Sequence, residues 1–261
     1  MNVKLLLASL FILTLVLGVA GVLIYYESLK PLRLVASCTN VSSVMDKVKY
    51  LQYNATDESG THYIVKVTNN PSTRSGTVEL YVNGTKTETL KYKYGERLES
   101  LTIYYSNGTV RSVKGLQVYS YEDMFYTSIN LKYNSTTGAV RASLFPGIGP
   151  LYGICFVSKA TDVNWNYYAS LRKPRSMPLQ PMKVDIGFGK TNFQGEKLGS
   201  VIVKLSRNTV SLPNKWFLPI YTAEIVDYHG VPVAVYYQVA VYSTNYVNTI
   251  VMQTMSIQTV K

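Results

Sequence analysis

Charged side chains are scarce in this sequence. Asp, Glu, Lys and Arg make up 16% of its 261 residues, against roughly 25% in average soluble proteins. The chain also has only two cysteines and two histidines. No Gly-x-Ser-x-Gly or His-Glu-x-x-His motif occurs, and so few reactive groups favour a protein without catalytic activity and without a cofactor.

One short segment resembles the end of a phosphate-binding loop. It is Gly187–Thr191, with the sequence GFGKT. A complete Walker motif needs a further glycine five residues before Gly189, where Val184 stands, and a helix pattern after the loop. Neither requirement is met, so the sequence predicts that this segment binds no nucleotide.

The cysteines and histidines also lack the pattern of a metal site. Cys38, Cys155, His62 and His229 would supply four ligands, but no two of them have the close spacing of zinc ligands. His229 precedes Gly230, which predicts a solvated turn residue. In an oxidising compartment the two cysteines would pair, closing a loop of about 117 residues. The alternative is two buried free thiols.

The chain is basic, with a net charge of +11. Its lysines and arginines are spread along the sequence, and no run of four or more occurs. A generally basic surface with few carboxylates accounts for this charge. We therefore predict no nucleic-acid partner.

A long apolar segment lies near the N-terminus. Leu5–Tyr26 contains no charged residue and is long enough, at about 1.5 Å per residue, to cross a bilayer as a helix. It predicts an uncleaved transmembrane anchor. A signal peptide cleaved after Gly18-Val19-Ala20 is the main alternative. A lipidation motif at Val35–Cys38 is a third, although it lies well beyond the apolar run.

The rest of the chain favours β-strands. It contains 23 tyrosines and is rich in Thr, Val, Ser and Asn, the residues of strands and turns. Asn83-Gly84 and Asn107-Gly108 predict tight hairpins, and His229-Gly230 predicts another. The segment Val44–Lys49 fits a short helix or the lead into a strand.

The hairpin sequences also predict strand register. The simplest pairing around Asn83-Gly84 puts Glu79 opposite Glu88, so a bulge or slip is expected there. Around Asn107-Gly108, Tyr105 should face Val110 with Ile103 on the same side. In Val231–Tyr242, the residues Val233, Val235, Tyr237, Val239 and Val241 alternate on one face. Their neighbours are also apolar, so both faces of that strand should be covered.

These patterns predict a mainly β fold. We expect antiparallel sheets, arranged as a sandwich or a half-barrel meander, behind one N-terminal transmembrane helix. The predicted divisions are an anchor (1–26), a juxtamembrane stalk (27–46), a glycosylated β region (47–171), a Pro-rich linker or crossing loop (172–183) and a second β region (184–261).

Five Asn-x-Ser/Thr sequons predict N-glycosylation outside the cytoplasm. They are Asn40, Asn54, Asn83, Asn107 and Asn134. The last four fall near alternate predicted turns, which lie at the same end of a meander, and we expect that end to point away from the membrane. The C-terminal region has no sequon. Because a glycan excludes close contact, we expect that region to provide the contact surface.

Taken together, the apolar leader, the Tyr/Thr/Asn-rich β region, the sequons and the few acids resemble membrane-anchored cell-surface or virion-envelope proteins of thermoacidophilic archaea. The resemblance implies a structural or interaction protein whose partners are other envelope proteins or copies of itself. The helix at Val44 followed by long hairpins resembles, more weakly, lipoprotein-carrier folds. That resemblance implies an alternative, a module that binds a lipid or a glycan in an aromatic β cavity.

Overall fold

A computed structural model describes residues 14, 16–21, 41–133, 140–151, 182–207, 218–243 and 246–260. The described residues are mainly in antiparallel strands, as the sequence predicts. The first strands are β1 Val48–Asp57, β2 His62–Asn70, β3 Ser75–Val82, β4 Thr85–Tyr94, β5 Leu98–Tyr105 and β6 Val110–Lys114. The later strands are β7 Ile129–Tyr133, β8 Val140–Leu144, β9 Met182–Phe193, β10 Glu196–Arg207, β11 Leu218–Tyr228, β12 Val231–Ser243 and β13 Tyr246–Thr259.

Short helical elements accompany the strands in the described part of the chain. Helix α1 is Ser42–Met45, the 3-10 turn is Gly115–Val118, and helix α2 is Tyr119–Thr127. Since α1 ends just before β1 begins, the segment predicted as a helix or a strand lead contains both. Strands β7 and β8 form a separate hairpin, and β8 packs on β13, β12 and β1.

Eleven strands form one sheet in the order β6-β5-β4-β3-β2-β1-β13-β12-β11-β10-β9. The two predicted β regions are therefore joined, because β13 pairs with β1 along nearly its full length. Strands β6 and β9 are the edges, so the described strands do not close into a barrel. We call the end where β1 begins the proximal end and the opposite end the distal end. The inner face is the one on which α2 and the β7–β8 hairpin pack.

Two of the three predicted tight turns have the expected backbone. Asn83 and Gly84 have φ of 47° and 83°, and His229 and Gly230 have φ of 53° and 79°, as a type I′ turn requires. At the third turn only Gly108 has a positive φ, 82°.

The register predicted for the hairpin at Asn107-Gly108 was therefore wrong by one residue. Tyr104, not Tyr105, lies opposite Val110. The reason is a longer loop, in which the Tyr105 N–H donates to Thr109 O and the Gly108 N–H donates to Tyr105 O. A type I turn followed by a left-handed glycine suits Asn-Gly as well as the two-residue loop does.

The bulge predicted between β3 and β4 is confirmed. The register shifts between Leu80 and Tyr81, which places Glu79 opposite Thr89 and Glu88 opposite Leu80. The two glutamates thus no longer face each other. Since one extra residue reverses the side on which a strand's side chains point, Glu88 turns to the inner face.

Strand β12 is buried on both faces at its start, as predicted. Val231, Val233 and Ala234 are each at most 1% exposed. A bulge on β12 between Ala234 and Tyr236 interrupts the alternation expected from Val233 to Val241. Tyr237, Val239 and Val241 therefore share a face from which Val233 is turned away.

Gly147 is a point of very close backbone approach. A Cβ there would lie 2.1 Å from the carbonyl oxygen of Phe125 in α2. The Ile148 N–H also donates to that oxygen, at 2.9 Å. Only glycine fits at this contact, which fastens the segment after β8 to the end of α2.

We expect Gly147→Ala to destabilise the fold by about 1–3 kcal/mol, because backbone must move to accommodate the methyl group. Gly199→Ala is the control, since nothing lies within 4 Å of its Cβ position. Denaturant unfolding of both variants measures the difference. Equal stability of the two variants would contradict this packing.

Candidate functional site

The inner face of the sheet is apolar in both halves. Its N-terminal half includes Val65, Val67, Val78, Leu90 and Ile103, each at most 1% exposed. Its C-terminal half includes Val201, Val203, Ala223, Val239 and Ile250, which are buried to the same degree. Polar groups on such a surface need partners, so those that are present mark either structural locks or candidate sites.

The first polar group is the fully buried hydroxyl of Tyr53 on β1. It donates to the carbonyl oxygen of Gly147 at 3.0 Å and lies 2.9 Å from Ser128 Oγ. The Gly149 N–H donates to the same Ser128 Oγ at 2.8 Å. Burial raises the pKa of Tyr53 well above its usual range. These contacts lock β1 to the end of α2 and to the segment after β8.

The second polar group is the Glu122 carboxylate of α2, whose side chain is 6% exposed. It accepts hydrogen bonds from Arg97 Nη2 at 2.9 Å and from the hydroxyl of Tyr126 at 2.7 Å. The Arg97 guanidinium also lies 5.0 Å from the ring of Tyr119. With its charge paired and its oxygens bonded, Glu122 attaches α2 to the β4–β5 turn.

The third polar group is Glu88, which the bulge turns inward near the distal end. Tyr105 lies directly opposite on β5, and the Arg111 guanidinium is 5.2 Å from the ring of Tyr121. Glu88 is half-buried and forms no hydrogen bond or ion pair with the described residues. Burial raises the pKa of its carboxyl above the ordinary 4.5. A carboxyl group, a guanidinium and tyrosine rings thus converge here.

The fourth polar group is the hydroxyl of Tyr237 on β12. It is fully buried on the inner face, between Ala223 of β11 and Met252 of β13, and has no hydrogen-bond partner among the residues that the structure describes. Burial also raises the pKa of Tyr237 well above its usual range. A buried donor without a partner is costly, so this hydroxyl marks a candidate site for a polar group on the inner face.

A shallow groove of about 480 Å³ lies on the outer side at the proximal end. Lys49, Tyr50, Asn70 and Gln258 are among its lining residues. The groove is open, and it contains none of the residues predicted as a site.

The predicted glycosylation sites occupy different positions. The turns with Asn83 and Asn107 lie at the distal end, whereas Asn54 lies within β1, opposite Ile64 and Gln253. The expectation that Asn54 belongs to a turn was wrong because β1 continues to Asp57. Asn40 and Asn134 are outside the described residues.

The fold places the two histidines and the phosphate-like segment in different surroundings. His62 begins β2 at the distal end, and His229 is in a proximal turn, where its Nε2 lies 3.0 Å from Glu196 Oε1. The two histidines therefore cannot share a metal. Gly187 and Lys190 lie inside β9, which is followed by β10 and not by a helix. Cys38 and Cys155 are outside the described residues, so their pairing stays a prediction.

In the described part of the chain, no group of three or more His, Cys, Asp or Glu side chains is arranged to hold a metal ion. No helix among the described residues is both long and apolar enough to cross a membrane; most of Leu5–Tyr26 lies outside them. No protein-family model matches the sequence, and no curated protein matches it. Fold and site together define a mainly β protein built on one large antiparallel sheet.

Loss of the hydroxyl should change the free energy of unfolding differently at the two fully buried inner-face tyrosines, Tyr53 and Tyr237. We expect Tyr53→Phe to lower the free energy of unfolding by about 1–2 kcal/mol, because it removes bonds to Ser128 and Gly147. Tyr237→Phe should leave it unchanged or raise it by up to about 1 kcal/mol, because its hydroxyl has no partner. Denaturant titration of both variants tests this. A large loss in Tyr237→Phe would show that the hydroxyl is bonded in solution.

Ionisation of Glu88 and ionisation of Glu79 should have opposite effects on the stability of the protein. The raised pKa of Glu88 means that ionisation costs stability above about pH 4.5. We therefore expect Glu88→Gln to raise the unfolding temperature at pH 7 by about 1–3 °C. The gain should shrink to nothing well below pH 4.5.

Glu79 provides the matched control, since the hydrogen bond from Lys86 lowers its pKa. Its ionised form adds stability that is present above about pH 4.5 and is lost as pH falls through the lowered pKa. Glu79→Gln should accordingly lower the unfolding temperature at pH 7. Thermal scans at several pH values measure both variants, and shifts of the same sign at pH 7 would contradict the assignment.

Proposed function

We propose that this chain is a membrane-anchored, extracytoplasmic structural or interaction protein of a cell or viral envelope, without catalytic activity. Leu5–Tyr26 is the proposed anchor, with the N-terminus inside and the sheet outside. The partners would be other envelope proteins or further copies of the chain.

The observation that carries this proposal is that the described chain enters the sheet at one end and two sequon turns lie at the opposite end. Val41 lies at the proximal end, where its N–H donates to Glu96 O at 3.0 Å in the β4–β5 turn. The sequon turns with Asn83 and Asn107 lie at the distal end. Strand β4, which has ten residues, separates the ends by about 33 Å. An anchor ahead of Val41 would thus hold the glycosylated turns away from the membrane.

The C-terminal half supplies the proposed contact surface. It carries no sequon, and its outer face includes Tyr242 and Val247, which are paired across β12 and β13 and are 39% and 51% exposed. Ile202 on β10 is 41% exposed on the same face. Exposed apolar side chains without glycans suit contact with another protein.

A second candidate function has its own observation. The unpartnered Tyr237 hydroxyl lies on an inner face lined by Val, Ile and Ala, which favours an amphiphile with an apolar chain and one polar oxygen. In that case the hydroxyl would donate to the ligand. A costly Tyr237→Phe substitution would favour this candidate, since only a bonded hydroxyl makes that substitution costly.

Glycan mapping tests the main proposal. We expect mass spectrometry of protein from its native membrane to find glycans on Asn83 and Asn107. Thr85→Ala and Thr109→Ala should each remove one glycan, because each destroys a sequon and leaves the turn asparagine in place. Thr85→Ser is the control, since it preserves the sequon. Unmodified Asn83 and Asn107, or recovery of the full-length chain from the soluble fraction, would refute the proposal.

A further inference from the structure

The outer face of β2–β6 presents a regular array of polar side chains. The strand register aligns Thr68, Thr77, Lys91, Thr102 and Ser112 in one row across the five strands. Asn70, Ser75, Lys93, Ser100 and Lys114 form the next row toward the proximal end. All ten are exposed or half-buried. With strands about 4.8 Å apart, each row is about 19 Å long.

This surface is strongly basic. We call it the lysine face, and its charged residues are Lys66, Lys86, Lys91, Lys93, Lys114 and Glu79. Glu79 is paired with Lys86 and also faces Lys66 across β2 and β3. The uncompensated lysines of the face are Lys91, Lys93 and Lys114, which form no ion pair with a described carboxylate. A one-sign surface of this kind attracts anions of extended shape.

Aromatic contacts hold two of these lysines along the sheet. Lys66 Nζ is 4.9 Å from the centre of the Tyr81 ring, and Lys91 Nζ is 5.3 Å from that of Tyr104. Both tyrosines lie on the same face as the lysines. Because a cation over a ring is attracted to it, these ammonium groups are held near the surface before any ligand arrives.

The neutral members of the array are mostly hydroxyls. A hydroxyl both donates and accepts hydrogen bonds, and so does each hydroxyl of a sugar. Thr102 and Ser112 lie side by side, with their oxygens 3.4 Å apart, beside the Lys91 position. Lysines interspersed with hydroxyls suit a polymer that carries both acid groups and sugar hydroxyls.

The outer face of the C-terminal half has a different composition. On β9–β11 of this face, Lys204 lies directly opposite Asp185 and diagonally across from Glu224, so carboxylates flank it on both neighbouring strands. The basic array is therefore confined to the N-terminal half and does not simply follow from the positive charge of the whole chain.

We propose that the lysine face binds an acidic polysaccharide, one that carries carboxylate or sulfate groups. The choice of a polysaccharide as the ligand rests on the extracytoplasmic location proposed above. Two features favour a glycan over nucleic acid or a lipid surface. The face is rich in hydroxyls, and it runs along the side of the sheet rather than across its proximal end.

Binding measurements on the full chain, reconstituted in nanodiscs of neutral lipid, test this proposal. The probes are polygalacturonate, dextran sulfate, neutral dextran, duplex DNA and phosphatidylserine-containing vesicles. We expect one or both acidic polysaccharides to bind, more weakly as salt rises, and neutral dextran not to bind. Lys91→Gln with Lys93→Gln should weaken binding about tenfold, since each exposed ion pair contributes roughly twofold to fivefold.

Lys197→Gln with Lys204→Gln is the matched control, because both lysines are exposed on β10 and the change in net charge is the same. This double variant should bind as the unchanged chain does. Lys91→Arg with Lys93→Arg should retain binding, and equal unfolding temperatures would exclude a folding defect. Equal weakening in both Gln double variants, binding of DNA or vesicles as tight as that of polysaccharide, or no binding to either acidic polysaccharide would overturn the proposal. Glycan mapping is independent of these results.

Discussion

The pairing of β1 with β13 is the constraint on which the fold depends. It joins strands separated by nearly the whole described chain, from Val48 opposite Thr259 to Asp57 opposite Ile250. Without it there would be two meanders, each with one more exposed edge. Because β1 is the sixth of eleven strands, this contact sets the centre of the sheet. The same strand carries Tyr53, whose hydroxyl fastens the inner layer.

In this arrangement the inner and outer faces differ in composition, and the proximal and distal ends carry different features. The inner face is occupied by packing and by a few locked polar groups, such as Glu122 with Arg97. The outer face is left for contact; it is basic in one half, and in the other it combines exposed apolar side chains with charges of both signs. The proximal end receives the chain at Val41, and the distal end carries the sequon turns. We therefore propose that the sheet presents its outer face to partners beside a membrane.

Sequence reasoning succeeded where the deciding forces are local. Asn83-Gly84 and His229-Gly230 adopt the positive φ that such pairs favour, and the clash of Glu79 with Glu88 correctly required a bulge. It failed where two local solutions have similar energies, as at Asn107-Gly108, or where a strand simply runs on, as at Asn54. The Tyr53 lock and the unpartnered Tyr237 hydroxyl had no local signal, because their neighbours come from distant segments. The bulge implies that Glu88 turns inward. Nothing in the sequence indicated that Tyr105 and Arg111 would be its neighbours.

The central claim is that the sheet lies outside the membrane while the N-terminus lies inside. Labelling of intact cells with a membrane-impermeant amine reagent, followed by peptide mapping, tests it most directly. Lys91 and Lys114 are exposed on the sheet, and Lys4 precedes the apolar segment. The account predicts modification of Lys91 and Lys114 in intact cells and of Lys4 only after permeabilisation. Labelling of Lys4 in intact cells, or protection of Lys91 and Lys114 until the membrane is opened, would contradict it.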